Sequence, residues 1–147
     1  MGTGPGEITG AGCAVDFYAL LPPFGEAEIV HSAVPEGASI QELGCGTGRI
    51  LRPLAGLGHQ VLGVDDSRAM LARIPDLPTV CCRIEARREP PRLFIEVEYQ
   101  VGDRVWTHSW GAWEISEREL ADDLRSTGLR FGRWLTDDHA WFTADAA

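Results

Sequence analysis

The sequence contains no lysine. That excludes a phosphate-binding loop of the G-x-x-x-x-G-K-[ST] type, whose lysine reaches the phosphates. Arginine and histidine are the only basic side chains, a bias that hints at a GC-rich bacterial genome. Positive charge is scarce altogether: 13 arginines face 22 acidic residues, for a net charge of −9. The one basic cluster, Arg83, Arg87, Arg88 and Arg92, stands among acids. Nucleic acid is therefore not an expected partner, because its binding is driven by neutralising phosphates. No apolar run approaches the ~20 residues of a membrane-spanning helix, and no signal-peptide pattern is present. Cys13, Cys45, Cys81 and Cys82 show neither C-x-x-C nor Cys/His ligand spacing, so no metal site is expected. They read as reduced thiols, which implies a cytoplasmic protein.

What is present suits one globular domain. The chain has 147 residues, 44% hydrophobic and 24% charged, enough for a single core. Met1–Gly12 is glycine-rich, and residues 1–14 read as a flexible tail. The organising stretch is Ile40-Gln41-Glu42-Leu43-Gly44-Cys45-Gly46-Thr47-Gly48-Arg49. Ile40 and Leu43 are apolar strand residues. Three glycines follow at alternate positions, which predicts a tight turn. Ile50, Leu51, Leu54 and Leu57 then repeat at helical spacing. A strand, a glycine turn and a helix N-terminus together form a nucleotide site, where free N–H groups and the helix dipole face the ligand.

Gln60-Val61-Leu62-Gly63-Val64-Asp65 reads as a second buried strand ending in an acid. Asp65 falls about twenty residues after the first glycine, where a βαβ unit sets a carboxylate against ribose hydroxyls. The glycines run G-x-G-x-G rather than the dinucleotide pattern G-x-G-x-x-G, and Glu42 stands two residues before the first. A carboxylate there suits a ligand bearing an ammonium or sulfonium better than a pyrophosphate.

At these residues the chain resembles the class I S-adenosylmethionine-dependent methyltransferases. Glu42-Leu43-Gly44-Cys45-Gly46-Thr47-Gly48 is similar to their first motif, and Val64-Asp65-Asp66-Ser67-Arg68-Ala69-Met70-Leu71 to their second. The resemblance covers roughly residues 16–86. It implies S-adenosylmethionine as cofactor, with Glu42 orienting the methionine part, Asp65 holding ribose, and Gly44, Cys45, Gly46, Gly48 and Asp66 around them. Family members often carry a tyrosine that closes over the cofactor; Tyr18 is the candidate, with a packing role as the alternative. Met70 faces either cofactor or core. Ile84 and Glu85, just past a third predicted strand over Thr79–Ile84, inherit contacts to the adenine.

Around these motifs, Glu26–Val34 is predicted helical, and Pro53 lies inside the helix after the glycines, where it starts that helix late or kinks it. Ser67 caps a predicted third helix, Arg68–Ile74. Beyond it the resemblance to the family breaks off. No stretch reads as the fourth or fifth parallel strand, so the chain looks like a methyltransferase shortened by an internal deletion. Arg92–Val101 alternates instead, with Leu93, Ile95, Val97, Tyr99 and Val101 on one face. Gly102-Asp103 fits a type II′ turn, and Arg104–Ile115 returns with Trp106, His108 and Trp110 opposite Tyr99, Val97 and Ile95. His108 is the candidate base of an acceptor pocket, against the plainer reading of a hydrogen-bonded packing residue. Ser116 and Glu119 form a capping box. Leu129–Leu135 and Ala140–Thr143 read as closing strands around Asp137-Asp138-His139, taken as a polar turn.

The expected fold is α/β. It is a truncated Rossmann-like methyltransferase fold with a parallel βαβαβ half over 15–86, then a β-hairpin, a helix and an antiparallel strand pair over 92–147. The expected function is methylation of a small molecule by S-adenosylmethionine, with a homodimer as the means of supplying the missing half. The alternatives are an inactive remnant that serves as a cofactor-binding or interaction module, and a nicotinamide-binding domain.

Overall fold

The computed structural model describes residues 1–82 and 93–147. The chain forms two compact units, Met1–Ala112 and Trp113–Ala147. The first unit begins with strand β1 (Gly2–Thr3) and helices α1 (Val15–Tyr18) and α2 (Glu26–Ala33). Strand β2 (Ser39–Leu43), helix α3 (Leu51–Gly56), strand β3 (Gln60–Asp65), helix α4 (Arg68–Leu71) and strand β4 (Thr79–Cys81) follow. The hairpin β5 (Leu93–Val101) and β6 (Arg104–Ala112) completes it.

β2, β3 and β4 form a parallel sheet in that order, with Leu43 beside Val64 and Val64 beside Val80. β3 is central, and its last three residues, Gly63, Val64 and Asp65, are buried. Leu51 and Leu54 of α3 are sealed beneath the sheet with Ile74. Gly63 makes that contact possible, because a Cβ there would lie 2.8 Å from Cys45 Sγ and 2.9 Å from Leu51 Cδ2. α3 starts late, at Leu51. Pro53 is therefore its third residue, where a missing N–H costs no intrahelical bond. α4 is shorter than the predicted Arg68–Ile74. Pro75 stops it early, and Ile74 packs from the following turn, donating its N–H to Leu71 O at 2.9 Å.

The hairpin has the register its alternation predicts: Ile95 opposite Trp110, Val97 opposite His108, Tyr99 opposite Trp106. Gly102 has φ +59° and Asp103 does not share the positive φ, the signature of a type II′ turn. The aromatic face buries α1. Phe17 stacks on Tyr99 with ring centroids 4.0 Å apart and leans on Trp106 at 5.6 Å.

The N-terminal segment, expected as a flexible tail, is held instead. β1 pairs antiparallel with β6, making the order β1-β6-β5. Ile8 bridges to Ala14, and Trp106 Nε1 donates to Pro5 O at 2.8 Å. The indole is 1% exposed, and this carbonyl satisfies the N–H that its burial would otherwise strand. A partner more than a hundred residues away along the chain is invisible to local patterning.

In the second unit, α5 (Glu117–Ser126) carries the predicted capping box. Glu119 N–H donates to Ser116 Oγ at 3.3 Å, and Ser116 N–H donates to Glu119 Oε2 at 2.8 Å. β7 (Leu129–Trp134) pairs antiparallel with β8 (Phe142–Ala146). The last strand lies later than the expected Ala140–Thr143. A register shift between Phe131 and Trp134, with the bond from Leu135 N–H to Trp141 O, lengthens the turn. His139, in that turn at φ +57°, stacks flat on Trp134 and faces Glu117 at 3.4 Å. Among the described residues, every buried core side chain belongs to the first unit.

Leu51→Ala is expected to cost about 2–5 kcal/mol, the usual loss for a fully buried leucine, read as a lower urea midpoint. Ser116→Ala should cost about 1 kcal/mol. Amide hydrogen exchange should show that loss as faster exchange confined to the first turn of α5 and its unit.

Candidate functional site

A cavity of about 300 Å³ opens above the C-terminal ends of β2 and β3. That volume stands at the lower limit of the roughly 300–1,000 Å³ of small-ligand sites. It gathers eight of the residues singled out in the sequence: Tyr18, Glu42, Gly44, Cys45, Gly46, Asp65, Asp66 and Met70. Gly48 does not line it; a Cβ there would meet Ile74 Cδ1 at 3.0 Å, so this glycine serves packing. Ile84 and Glu85 lie outside the described residues. His108 is not in the lining. It sits in the hairpin, 9% exposed, with Nε2 3.4 Å from Ala11 O and its ring 4.9 Å from that of Trp110.

The turn is built around Asp65. Its Oδ2 accepts from Gly46 N–H at 2.8 Å and its Oδ1 from Ser67 N–H at 2.8 Å. One buried carboxylate thus ties the glycine turn to the start of α4. Gly44 N–H and Cys45 N–H both donate to Val64 O, at 2.7 and 3.1 Å, and Gly48 N–H donates to Cys45 O at 2.9 Å. Gly44 and Gly46 have φ +74° and +55°, which L side chains rarely adopt. This corrects the expectation of free amides and a helix dipole facing the ligand. The amides of Gly44, Cys45, Gly46 and Gly48 are already spent inside the protein. α3 begins only at Leu51 and runs six residues.

The electrostatics follow from Glu42. Its Oε2 is buried without a hydrogen-bond partner. Burial pushes its carboxyl up to about 7; nearby Asp65 adds to the rise and Arg49 opposes it. Arg49 cannot pair fully with Glu42, because its Nη1 is bound to Glu26 Oε1 at 2.5 Å. A cation entering this cavity would meet the unpaired Glu42 oxygen and favour its ionised form. Burial also raises the Cys45 thiol to about 11, which keeps it protonated and inert. The Tyr18 phenol is raised further, by burial first and then by Cys13. Its backbone carbonyl accepts from Thr47 Oγ1 at 3.1 Å, which moors α1 to the turn.

Sequence reasoning missed Thr9, Ala11 and Cys13, which close the cavity from the N-terminal segment, and Arg49 and Ser67 beside the motifs. Ser67 was visible as a helix cap, and it does accept from Met70 N–H at 3.3 Å. Nothing local marks Thr9–Cys13, whose position depends on pairing with the distant hairpin. Among the described residues, no group of three or more His, Cys, Asp or Glu stands ready to hold a metal. No helix among them is long and apolar enough to cross a membrane.

Residues 41–103 match the family model described as a methyltransferase domain. The TehB-like SAM-dependent methyltransferase from Corynebacterium glutamicum is 32% identical over 46% of this chain, with a TM-score of 0.40. This chain spans 39% of that protein's length. The CcbJ methyltransferase from Streptomyces caelestis superposes with a TM-score of 0.58 over 81% of this chain and 86% of its own. At 16% identity that likeness is one of fold. No curated protein matches the chain in sequence.

Asp65→Ala should lower stability by about 1–3 kcal/mol, the usual cost of stranding buried donors, and Asp65→Asn by less. Equal urea midpoints for wild type and Asp65→Ala would show that the two ties carry no stability.

Proposed function

We propose that this chain, which shares the fold of a methyltransferase and matches a methyltransferase-domain model over residues 41–103, transfers a methyl group from S-adenosylmethionine to a small molecule. The observation that supports the reading is the buried, unpartnered Oε2 of Glu42, in a cavity where the amides of Gly44, Cys45 and Gly46 are already bonded within the protein. Such a site favours a cationic ligand over a pyrophosphate, which also tells against a nicotinamide dinucleotide.

When bound, S-adenosylmethionine supplies an electrophilic methyl group on a sulfonium. In the proposed arrangement Glu42 holds the cationic methionine end. Asp65 holds the turn with one lone pair of each oxygen and offers the others to ribose hydroxyls. Gly44 and Gly46 let the backbone approach the ligand, and Met70, 3% exposed, gives an apolar floor. Tyr18 closes the side opposite, and Ile84, Glu85 and Asp66 are proposed for the adenosine end. Positioning supplies much of the rate in such a transfer. His108, outside this cavity, has no part in it. The free cysteines fit a reducing, cytoplasmic setting.

One observation favours a second reading. Among the described residues β2 is an edge of the parallel sheet, and Leu43 at its end is 70% exposed. A two-half sheet continues on that side. An internal deletion accounts for this edge, and the chain is then either an inactive remnant that binds cofactor or a protomer whose sheet is completed by a second copy. A sizing column separates the last two.

The test is calorimetric titration with S-adenosylhomocysteine across pH. Glu42 carries a raised carboxyl, so the cation-binding ionised form fills in as pH rises through about 7. Ligand binding pulls that carboxyl back down and releases a proton. Affinity should therefore climb about tenfold, about 1.4 kcal/mol, between pH 5 and 8, and Glu42→Gln should flatten the profile. Absence of heat at millimolar ligand in the wild type would sink the cofactor reading.

A further inference from the structure

We propose that Glu26, on α2 and outside the lining of the cavity above β2 and β3, is a positioning residue: its ion pair with Arg49 holds that guanidinium off Glu42 and keeps Glu42 open to a cationic ligand. The proposal rests on the cofactor reading of that cavity.

Two acids compete for one cation. Glu42 shares the cavity with the titratable and charged side chains of Cys13, Tyr18, Cys45, Arg49, Asp65 and Asp66. Arg49 is the cation among these described residues. It lies close enough to lower the Glu42 carboxyl, against the larger opposing effect of burial. It nevertheless bonds elsewhere. Its Nη1 donates to Glu26 Oε1 at 2.5 Å, and Glu42 Oε2 is left buried with no partner. An arginine freed from one carboxylate turns to the next within reach, because a half-closed cavity screens charges less than bulk water does.

The sequence before α2 builds the holder. Pro22-Pro23-Phe24-Gly25 leads into Glu26, and the two prolines have fixed φ. Gly25 turns the chain at φ +94°. Phe24 N–H then donates to Glu26 Oε2 at 2.7 Å, which leaves Oε1 for Arg49. The guanidinium also lies 3.5 Å from the Pro22 carbonyl oxygen and 5.6 Å from the Phe24 ring centre, and an aromatic face attracts a cation. The side chains of Glu26 and Arg49 are 15% and 26% exposed, so the pair is sheltered, unlike the open surface pairs that contribute little. Burial opposes ionisation of Glu26, and the bonds from Arg49 and Phe24 outweigh it, which leaves its carboxyl below the ordinary value. Glu26 is thus ionised wherever Glu42 titrates, and the holder does not release Arg49 as Glu42 gains its charge.

The experiment pairs two readouts on the full chain: a carbon-13 NMR titration of the Glu42 carboxyl without ligand, and calorimetric titration with S-adenosylhomocysteine at pH 5 and 8. Glu26→Gln keeps the size of the side chain and removes its charge. It should drop the Glu42 midpoint by about one pH unit, as an opposite charge brought alongside does. S-adenosylhomocysteine should then bind about tenfold more weakly at pH 8, and its gain in affinity between pH 5 and 8 should vanish. Adding Arg49→Gln to Glu26→Gln removes the competitor, so the double variant should recover both the affinity and the pH dependence. A Glu26 that merely stabilised α2 would not be rescued by a second loss. Arg49→Gln alone should raise the Glu42 midpoint above that of the wild type. An unmoved Glu42 midpoint in Glu26→Gln would overturn the proposal. So would a double variant that binds as weakly as the single one, a result that would mark Arg49 as a direct contact of the ligand. If the wild type binds no S-adenosylhomocysteine, the cofactor reading falls, and the Glu42 midpoints still decide whether Glu26 holds Arg49 away.

Discussion

The carboxylate of Asp65 is the constraint on which the site depends. It stands at the end of the central strand, 8% exposed, and its two oxygens hold two backbone amides from two different loops. A buried carboxylate without donors is costly, so the amides of Gly46 and Ser67 are as necessary to Asp65 as it is to them. This reciprocal arrangement sets the glycine turn over β2 and starts α4 at Arg68. Met70 and Ile74 can then pack beneath the turn. The cavity is the space left above that tie.

Glu42 shows the opposite principle. Asp65 has each oxygen bonded to a backbone amide, whereas Glu42 is buried with an oxygen unpaired. Arg49 stands near enough to influence it and is committed to Glu26 on α2. Two acids near one another in a closed space raise the cost of ionising both. An incoming cation removes that cost. Buried polar groups left unpaired in this way are common at functional sites.

The architecture is assembled from two small cores rather than one. Cys45, Leu51 and Ile74 seal the parallel sheet, while Ala14, Phe17 and Trp106 seal the hairpin. Tyr18 joins the second core to the cavity above β2 and β3 through Thr47. Where a two-half sheet would continue beyond β2, the described residues show an edge. The second face of the site is built instead from the N-terminal segment, itself braced by the hairpin.

Much of this was determined by local sequence. The alternation of Arg92–Val101 and Arg104–Ile115 with Gly102-Asp103 between them specified the hairpin register, since a slip of one residue would turn Trp106 and Tyr99 to the wrong face. Ser116 and Glu119 specified the start of α5 through bonds that span three residues. The order of strand, glycines, helix, strand and acid specified the parallel β2-β3-β4 half, because βαβ geometry places those residue types at fixed separations. Tertiary structure decided what local spacing cannot encode. The burial of Trp106 created a demand for a distant acceptor, which Pro5 meets, and so converted an expected tail into a strand and a cavity wall. The closing strand moved from Ala140 to Phe142 because a register shift in its partner lengthened the turn. The amides of Gly44, Cys45 and Gly46, free in an isolated motif, were consumed by Val64 and Asp65 once the sheet formed. Short-range hydrogen bonds and periodic burial are written along the chain; which donors remain, and which charges go unpaired, depends on groups brought together only by folding.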